Sequence, residues 1–194
     1  MASSALYRYF PSRDDLLTAL IVDAYNAIGA AAEEADATCK REDLAGRWTA
    51  ATRSIRHWAL ANPNEYALVY GSPIPGYHAP TQVTEPPATR VTAVLAAILT
   101  DAAAAGPLEL ASAPPTLPSS LDIDFARLRA ALMPGVPDQA IFRGVIAWLS
   151  LFGIVSFEVF GHLVGVVGDT DAFFDAAARD IGRSVGLATS RPGP

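Results

Sequence analysis

The run "SSALYRYFPSRDD" (residues 3–15) gathers hydroxyls, aromatic rings and guanidinium groups into one short stretch. Leu6 and Phe10 stand four apart and would pack inward together on a helix. That leaves Ser3, Ser4, Tyr7 and Arg8 on its other faces. Small hydroxyls and a guanidinium on a short helix suit the major groove of DNA, where they reach phosphates and base edges. Pro11 stops this helix, and Ser12 is a candidate N-cap for the next, with Asp15 as its capping-box partner. Asp14 and Asp15 complement the positive end of that second helix. The same end can hold a phosphate, and Arg13 stands beside it. An amphipathic helix that happens to carry Tyr and Arg on its polar side is the alternative reading.

A second set of residues could recognise a small molecule. Trp58, Tyr66, Tyr70, Tyr77, Phe142, Trp148 and Phe152 are candidates for the wall of a pocket, since pockets are mostly apolar with a few polar groups. The same rings would also suit ordinary core. Tyr70, His78 and Glu158 are the candidate polar groups, because each is costly to bury without a partner. His57 fits the pocket side or the solvent side equally.

No catalytic constellation is visible. His57, His78 and His162 have no partner at helical spacing for a metal pair, and no glycine-rich phosphate loop exists. Cys39 is alone, which excludes a disulfide framework and a Cys-based metal site. Glu65 and Glu158 are isolated carboxylates, and acid–base catalysis needs a partner set. The expectation is no enzyme, no metal and no cofactor.

These groups need elements to hold them. The pattern predicts an all-α chain: a short helix over residues 2–10, then helices over 13–37, 43–61 and 63–70. "SPIPGYHAPTQVTEPP" (72–87) carries five prolines and reads as a loop. Helix resumes over 87–105, followed by a Pro/Ser/Ala-rich mobile linker (106–120), then helices over 122–132, 138–164 and 170–187. The predicted units are 1–37, the rear part of a DNA-reading head with its connecting helix; 38–188, a ligand-binding and dimerisation domain; and 189–194, a disordered tail.

The stretch Val145–Gly168 is long enough to span a bilayer. Glu158 and His162 inside it argue for a buried helix instead. Gly153, Gly161 and Gly165 permit close helix approach, and Phe157, Phe160 and Val164 supply apolar area. With Phe173, Phe174 and Ile181 of the last helix they form a candidate homodimer interface, because so large an apolar surface would not stay exposed on a monomer. Net charge is −6, so any contact with nucleic acid must be local. Arg8 and Arg13 are followed by Asp14 and Asp15 rather than an apolar run, which does not read as a secretory signal and predicts a cytoplasmic protein.

"ALYRYFPSRDDLLTAL" (5–20) closely resembles the recognition helix and following turn of the TetR family of bacterial regulators. The resemblance implies that Ser3, Ser4 and Arg8 face bases of double-stranded operator DNA. It also implies that Tyr7, Tyr9 and Arg13 hold phosphates and that Leu6 and Phe10 are core. "HWALANPNEYALVYGSPIPGYHAP" (57–80), with Arg90-Val91, is similar to the ligand-binding half of the family's WHG-type subgroup, and "WLSLFGIVSFEVFGHL" (148–163) to its penultimate helix. The subgroup often has His where this chain has Phe152, which implies a different ligand. The family carries further helices ahead of the recognition helix. The resemblance therefore implies that this chain starts inside a helix-turn-helix and that this form binds DNA poorly. Two functions are expected: a regulator, as a rule a repressor, released from DNA by a small apolar effector, or a ligand-binding or heterodimerising protein that has lost DNA binding.

Overall fold

Ser12 adopts an extended backbone, and its Oγ accepts a hydrogen bond from the Asp15 amide at 3.1 Å while donating to Asp15 Oδ2 at 2.7 Å. The expected cap is therefore in place and starts helix α1 (Arg13–Ala37). The computed structural model describes residues 9–110 and 115–187. The expected helix over 2–10, up to residue 8, lies outside the described residues, as do Ser3, Ser4, Tyr7 and Arg8 and the tail.

Helix α2 (Leu44–Ala61) starts at Asp43, whose carboxylate accepts from the Gly46 amide at 2.9 Å. Helix α3 (Pro63–Tyr70) has proline at its first position, where no amide hydrogen is needed. Then come α4 (Thr81–Ala88), α5 (Arg90–Ala105), a 3-10 turn (Ser119–Leu121), α6 (Asp122–Ala131), α7 (Asp138–Val159) and α8 (Thr170–Ser184). All regular elements among the described residues are helical.

The core follows the expected helical stripes. Trp48, Ala51, Ile55 and Ala59 bury one face of α2, and Val91, Val94, Leu95, Ile98 and Leu99 that of α5. Burying each large aliphatic chain stabilises the fold by roughly 1.5–3 kcal/mol. Helix α8 seats on α2 where glycine permits it: a Cβ on Gly182 would stand 3.0 Å from the Trp48 ring, and Trp48 Nε1 donates to the Ala178 carbonyl at 2.8 Å.

Several expected boundaries need correction. Residues 81–87 of the expected loop belong to α4 despite Pro86 and Pro87, which sit at its end. The two missing donors weaken only the last turn, and Thr84 and Pro87 are buried. The expected helix over 87–105 begins instead at Arg90, bent by 43° from α4. Helix α7 ends at Val159, short of 164. Gly161 there has φ +78°, with His162 N donating to Phe157 O at 2.7 Å and Gly161 N to Glu158 O at 3.1 Å. This is a Schellman stop, so Gly161 and Gly165 (φ +79°) serve turns rather than close helix approach. Helix α8 likewise stops at Ser184, although Val185 and Leu187 remain buried.

The expected mobile linker is anchored at both described flanks, where Leu108 and Leu117 pack on the core. Helices α1 and α7 are both long and apolar enough to cross a membrane by length and composition. Glu158 of α7, however, is bound by Arg56 of α2 through two hydrogen bonds of 2.6 Å, which ties α7 into the bundle.

Candidate functional site

Four helices leave a space between them. Helix α5 contributes Thr92, Leu95, Ala96 and Leu99, which share one face by their three- and four-residue spacing. Helix α7 contributes Gly144, Val145 and Trp148, α6 and its end contribute Leu128, Leu132 and Met133, and α2 contributes Trp48. The partly open cavity between them is about 370 Å³. Gly144 keeps it narrow-waisted, since a Cβ there would stand 2.9 Å from Leu99 Cδ1.

The wall offers little hydrogen bonding. The Trp48 indole N–H is spent on Ala178 O, and the Thr92 hydroxyl on Thr89 O at 2.8 Å. Trp148 Nε1 is buried without a hydrogen-bond partner among the described residues. Among the described residues no carboxylate, imidazole or ammonium lines the space. What it can bind is therefore an uncharged apolar body. Among the described residues no group of His, Cys, Asp and Glu could hold a metal ion.

Of the sequence-predicted pocket residues, only Trp148 reaches this wall. Phe152 packs between Tyr70 (ring centroids 4.5 Å apart) and Trp148 (6.0 Å), and Tyr70 meets Tyr25 of α1 edge-on at 5.9 Å. Tyr66 is fully buried and its hydroxyl lies 2.8 Å from Ser156 Oγ. Burial raises the Tyr70 phenol well above its ordinary value, and burial also raises Tyr66, opposed by the Ser156 hydrogen bond. These rings fill their own space against one another, which is why they do not line the cavity. Trp58 and Phe142 pack half-buried on the core.

Glu158 is corrected from pocket group to ion-pair partner of Arg56, which also meets Asp171 at 2.7 Å and the Phe174 ring at 5.1 Å. His78 is exposed. Tyr77 instead lines a second space of about 330 Å³ with Ile21 and Tyr25, between α1 and the segment from α3 to α4, and its hydroxyl lies 2.8 Å from Thr18 Oγ1 of α1.

The residues missed, Leu95, Leu99, Leu128, Leu132 and Met133 among them, read as ordinary core stripes. The one local signal was Gly144, a glycine inside a strongly apolar helix.

On the outside of α7, Ile146, Leu149, Gly153, Phe157 and Phe160 recur at helical spacing, and the four large ones are exposed. Phe173 of α8 and Val164 of the turn are exposed as well. A Cβ on Gly153 would meet nothing within 4 Å among the described residues. Phe174 is corrected to core at 1% exposure, and Ile181 packs half-buried against the core. Ahead of the bundle in sequence, Tyr9 is 81% exposed, and Arg13 is exposed at the start of α1.

An all-helical bundle with a partly open apolar cavity between its helices and an apolar helical stripe outside defines the class. Residues 48–181 match the family described as "Tetracyclin repressor-like, C-terminal domain". The HTH-type transcriptional regulator Rv1816 of Mycobacterium tuberculosis is 36% identical over 185 residues, covering 92% of this chain and 76% of that protein. The crystal structure of putative regulatory protein SCO4313 aligns with TM-score 0.69 and 31% identity, over 93% of this chain and 79% of that one. A protein of unknown function from Rhodococcus sp. RHA1 shares the fold, with TM-score 0.67 and 24% identity over 96% and 79% of the two chains. The chain belongs to the TetR family of transcriptional regulators, whose members are DNA-binding transcription factors and not enzymes.

Proposed function

We propose that this TetR-family regulator is a cytoplasmic repressor that acts as a homodimer, without membrane insertion, and leaves its double-stranded DNA operator when a small apolar effector fills the α2–α5–α6–α7 cavity. The observation that carries this reading is the wall itself: leucines, a methionine, two indoles and no charge around about 370 Å³. A ligand shifts the regulator only by binding its two states differently. Ser3, Ser4 and Arg8 take the role of base readers, and Tyr7, Tyr9 and Arg13 that of phosphate holders. The apolar stripe of Leu149, Phe157, Phe160 and Phe173 pairs with its own copy across a two-fold axis, which sets two reading heads about 34–36 Å apart.

The test starts with N-phenyl-1-naphthylamine, an uncharged apolar dye that brightens out of water. It is expected to bind once per protomer, with quenching of tryptophan emission. A protein that selects a double-stranded sequence from a random pool and loses it on dye binding supports the reading. Dye binding with no selected DNA would favour a ligand-binding or heterodimerising protein instead.

A further inference from the structure

Helix α5 has two faces with different tasks. One lines the cavity through Thr92, Leu95, Ala96 and Leu99. Its first residue, Arg90, reaches across to α1. There Nη1 donates to the Asn26 carbonyl (3.0 Å) and to Asn26 Oδ1 (2.8 Å), while Nε and Nη2 donate to the two Glu33 oxygens (2.9 and 2.6 Å). Asn26, Gly29 and Glu33 lie on one face of α1. The Arg90 side chain crosses that face directly over Gly29, where a Cβ would stand 2.7 Å from Arg90 Cβ and 3.1 Å from its Cδ. The glycine is the seat of the clamp.

The other end of α5 is fixed as well. Asp101 accepts from Arg47 at 2.7 Å, and Arg47 also binds Asp36 near the end of α1 at 2.8 Å. Helix α4 follows α5, since only Thr89 separates them, and α4 also packs on α1. The cavity side has little slack at Gly144, where even a Cβ would stand 2.9 Å from Leu99 Cδ1. A body that widens the gap between α5 and α7 therefore moves α5, and α5 holds α1.

We propose that the Arg90 clamp on Asn26 and Glu33, seated on Gly29, is the positioning contact that converts occupancy of the cavity into a tilt of α1; this rests on the cavity being the effector site. The rod from Asn26 back to Arg13 is about 20 Å long at ~1.5 Å per residue. A tilt of about 5° at the clamp moves its start by about 2 Å by the same geometry, enough to spoil the spacing of two docked heads. The clamp sits outside the cavity wall, so it sets coupling and leaves ligand affinity to the wall.

The experiment measures amide hydrogen exchange over Leu16–Tyr25 with and without saturating N-phenyl-1-naphthylamine. It uses the full chain and the variants Arg90→Lys, which keeps the charge but loses the fork, and Gly29→Ala, which pushes the side chain off its seat. In the wild type, dye binding is expected to change exchange about five-fold, the low end of ordinary allosteric coupling. Both variants are expected to bind the dye within about two-fold of wild type, since the wall is intact, and to lose most of that response. Arg90→Lys alone decides the matter if Gly29→Ala does not fold. Variants that bind the dye and keep the full response overturn the clamp while the effector site stands. A wild type that binds no dye overturns both.

Discussion

Gly144 of α7 faces Leu99 of α5 so closely that a Cβ on the glycine would stand 2.9 Å from Leu99 Cδ1. The helix would gain from a side chain there, because glycine in a helix interior costs about 1 kcal/mol relative to alanine. The cavity loses what the helix gains. Gly144→Leu is expected to fill the narrowest part of the space, to fold, and to weaken N-phenyl-1-naphthylamine binding at least about ten-fold, the equivalent of ~1.4 kcal/mol. Fluorescence titration checks the affinity and circular dichroism the fold.

Glu158 has the opposite character: its chemistry is structural. It is only 9% exposed and shares two 2.6 Å hydrogen bonds with Arg56. Glu158→Gln leaves the largely buried Arg56 guanidinium with Asp171 as its remaining carboxylate, and is expected to cost about 3 kcal/mol, the lower end for a broken buried pair. Dye affinity is expected to stay within about two-fold, because Glu158 is not in the wall. Replacing both partners, Arg56→Met with Glu158→Leu, is expected to recover much of the loss. Urea unfolding with a dye titration on each variant checks both halves.

The exposed stripe makes a claim about mass. Leu149 is 57% and Phe157 55% exposed on the protomer. Sedimentation is expected to give twice the 20.4 kDa protomer mass for the wild type and the protomer mass for Leu149→Asp/Phe157→Asp. The same substitution at Phe174, which is core, would unfold the protein instead.

Acid is expected to loosen α1 and α8. Hydrogen bonding from Arg90 holds Glu33 below the usual carboxylate range, and hydrogen bonding from Arg53 does the same for Asp175. Burial pushes Asp101 up, but Arg47 and Arg41 together outweigh it, and it too lies low. Each group thus binds its proton less readily folded than unfolded. The stability it contributes is present above about pH 4 and lost as pH falls through the lower folded values. Thermal melting is expected to be flat from about pH 7 to 5 and to fall steeply below about pH 4. Asp101→Asn is expected to melt lower at neutral pH and to lose less on acidification.

Much of the fold is legible in local chemistry. The Ser12 and Asp43 caps, Pro63 at a helix start, and the stripe from Trp48 to Ala59 all follow from neighbours within a turn or two. Helix α4 is not legible, because Pro86 and Pro87 forbid two backbone bonds and only burial of Thr84 and Pro87 offsets the loss. The end of α7 depends on one left-handed residue, Gly161, in a segment whose apolar pattern runs on past it. The site is harder still. Periodicity says that Leu95 and Leu99 face inward, but not whether the space they face is full. Glu158 looks unpaired in sequence because Arg56 lies 102 residues away, with four α-helices between them.

The measurement that bears most directly on the whole account is fluorescence anisotropy of the DNA this protein selects, titrated with protein at rising N-phenyl-1-naphthylamine. The account predicts that filling the cavity raises the DNA Kd at least about ten-fold in the wild type, ~1.4 kcal/mol of coupling, and leaves it unchanged in Gly144→Leu. A DNA Kd that does not move while the dye demonstrably occupies the wild-type cavity would contradict it.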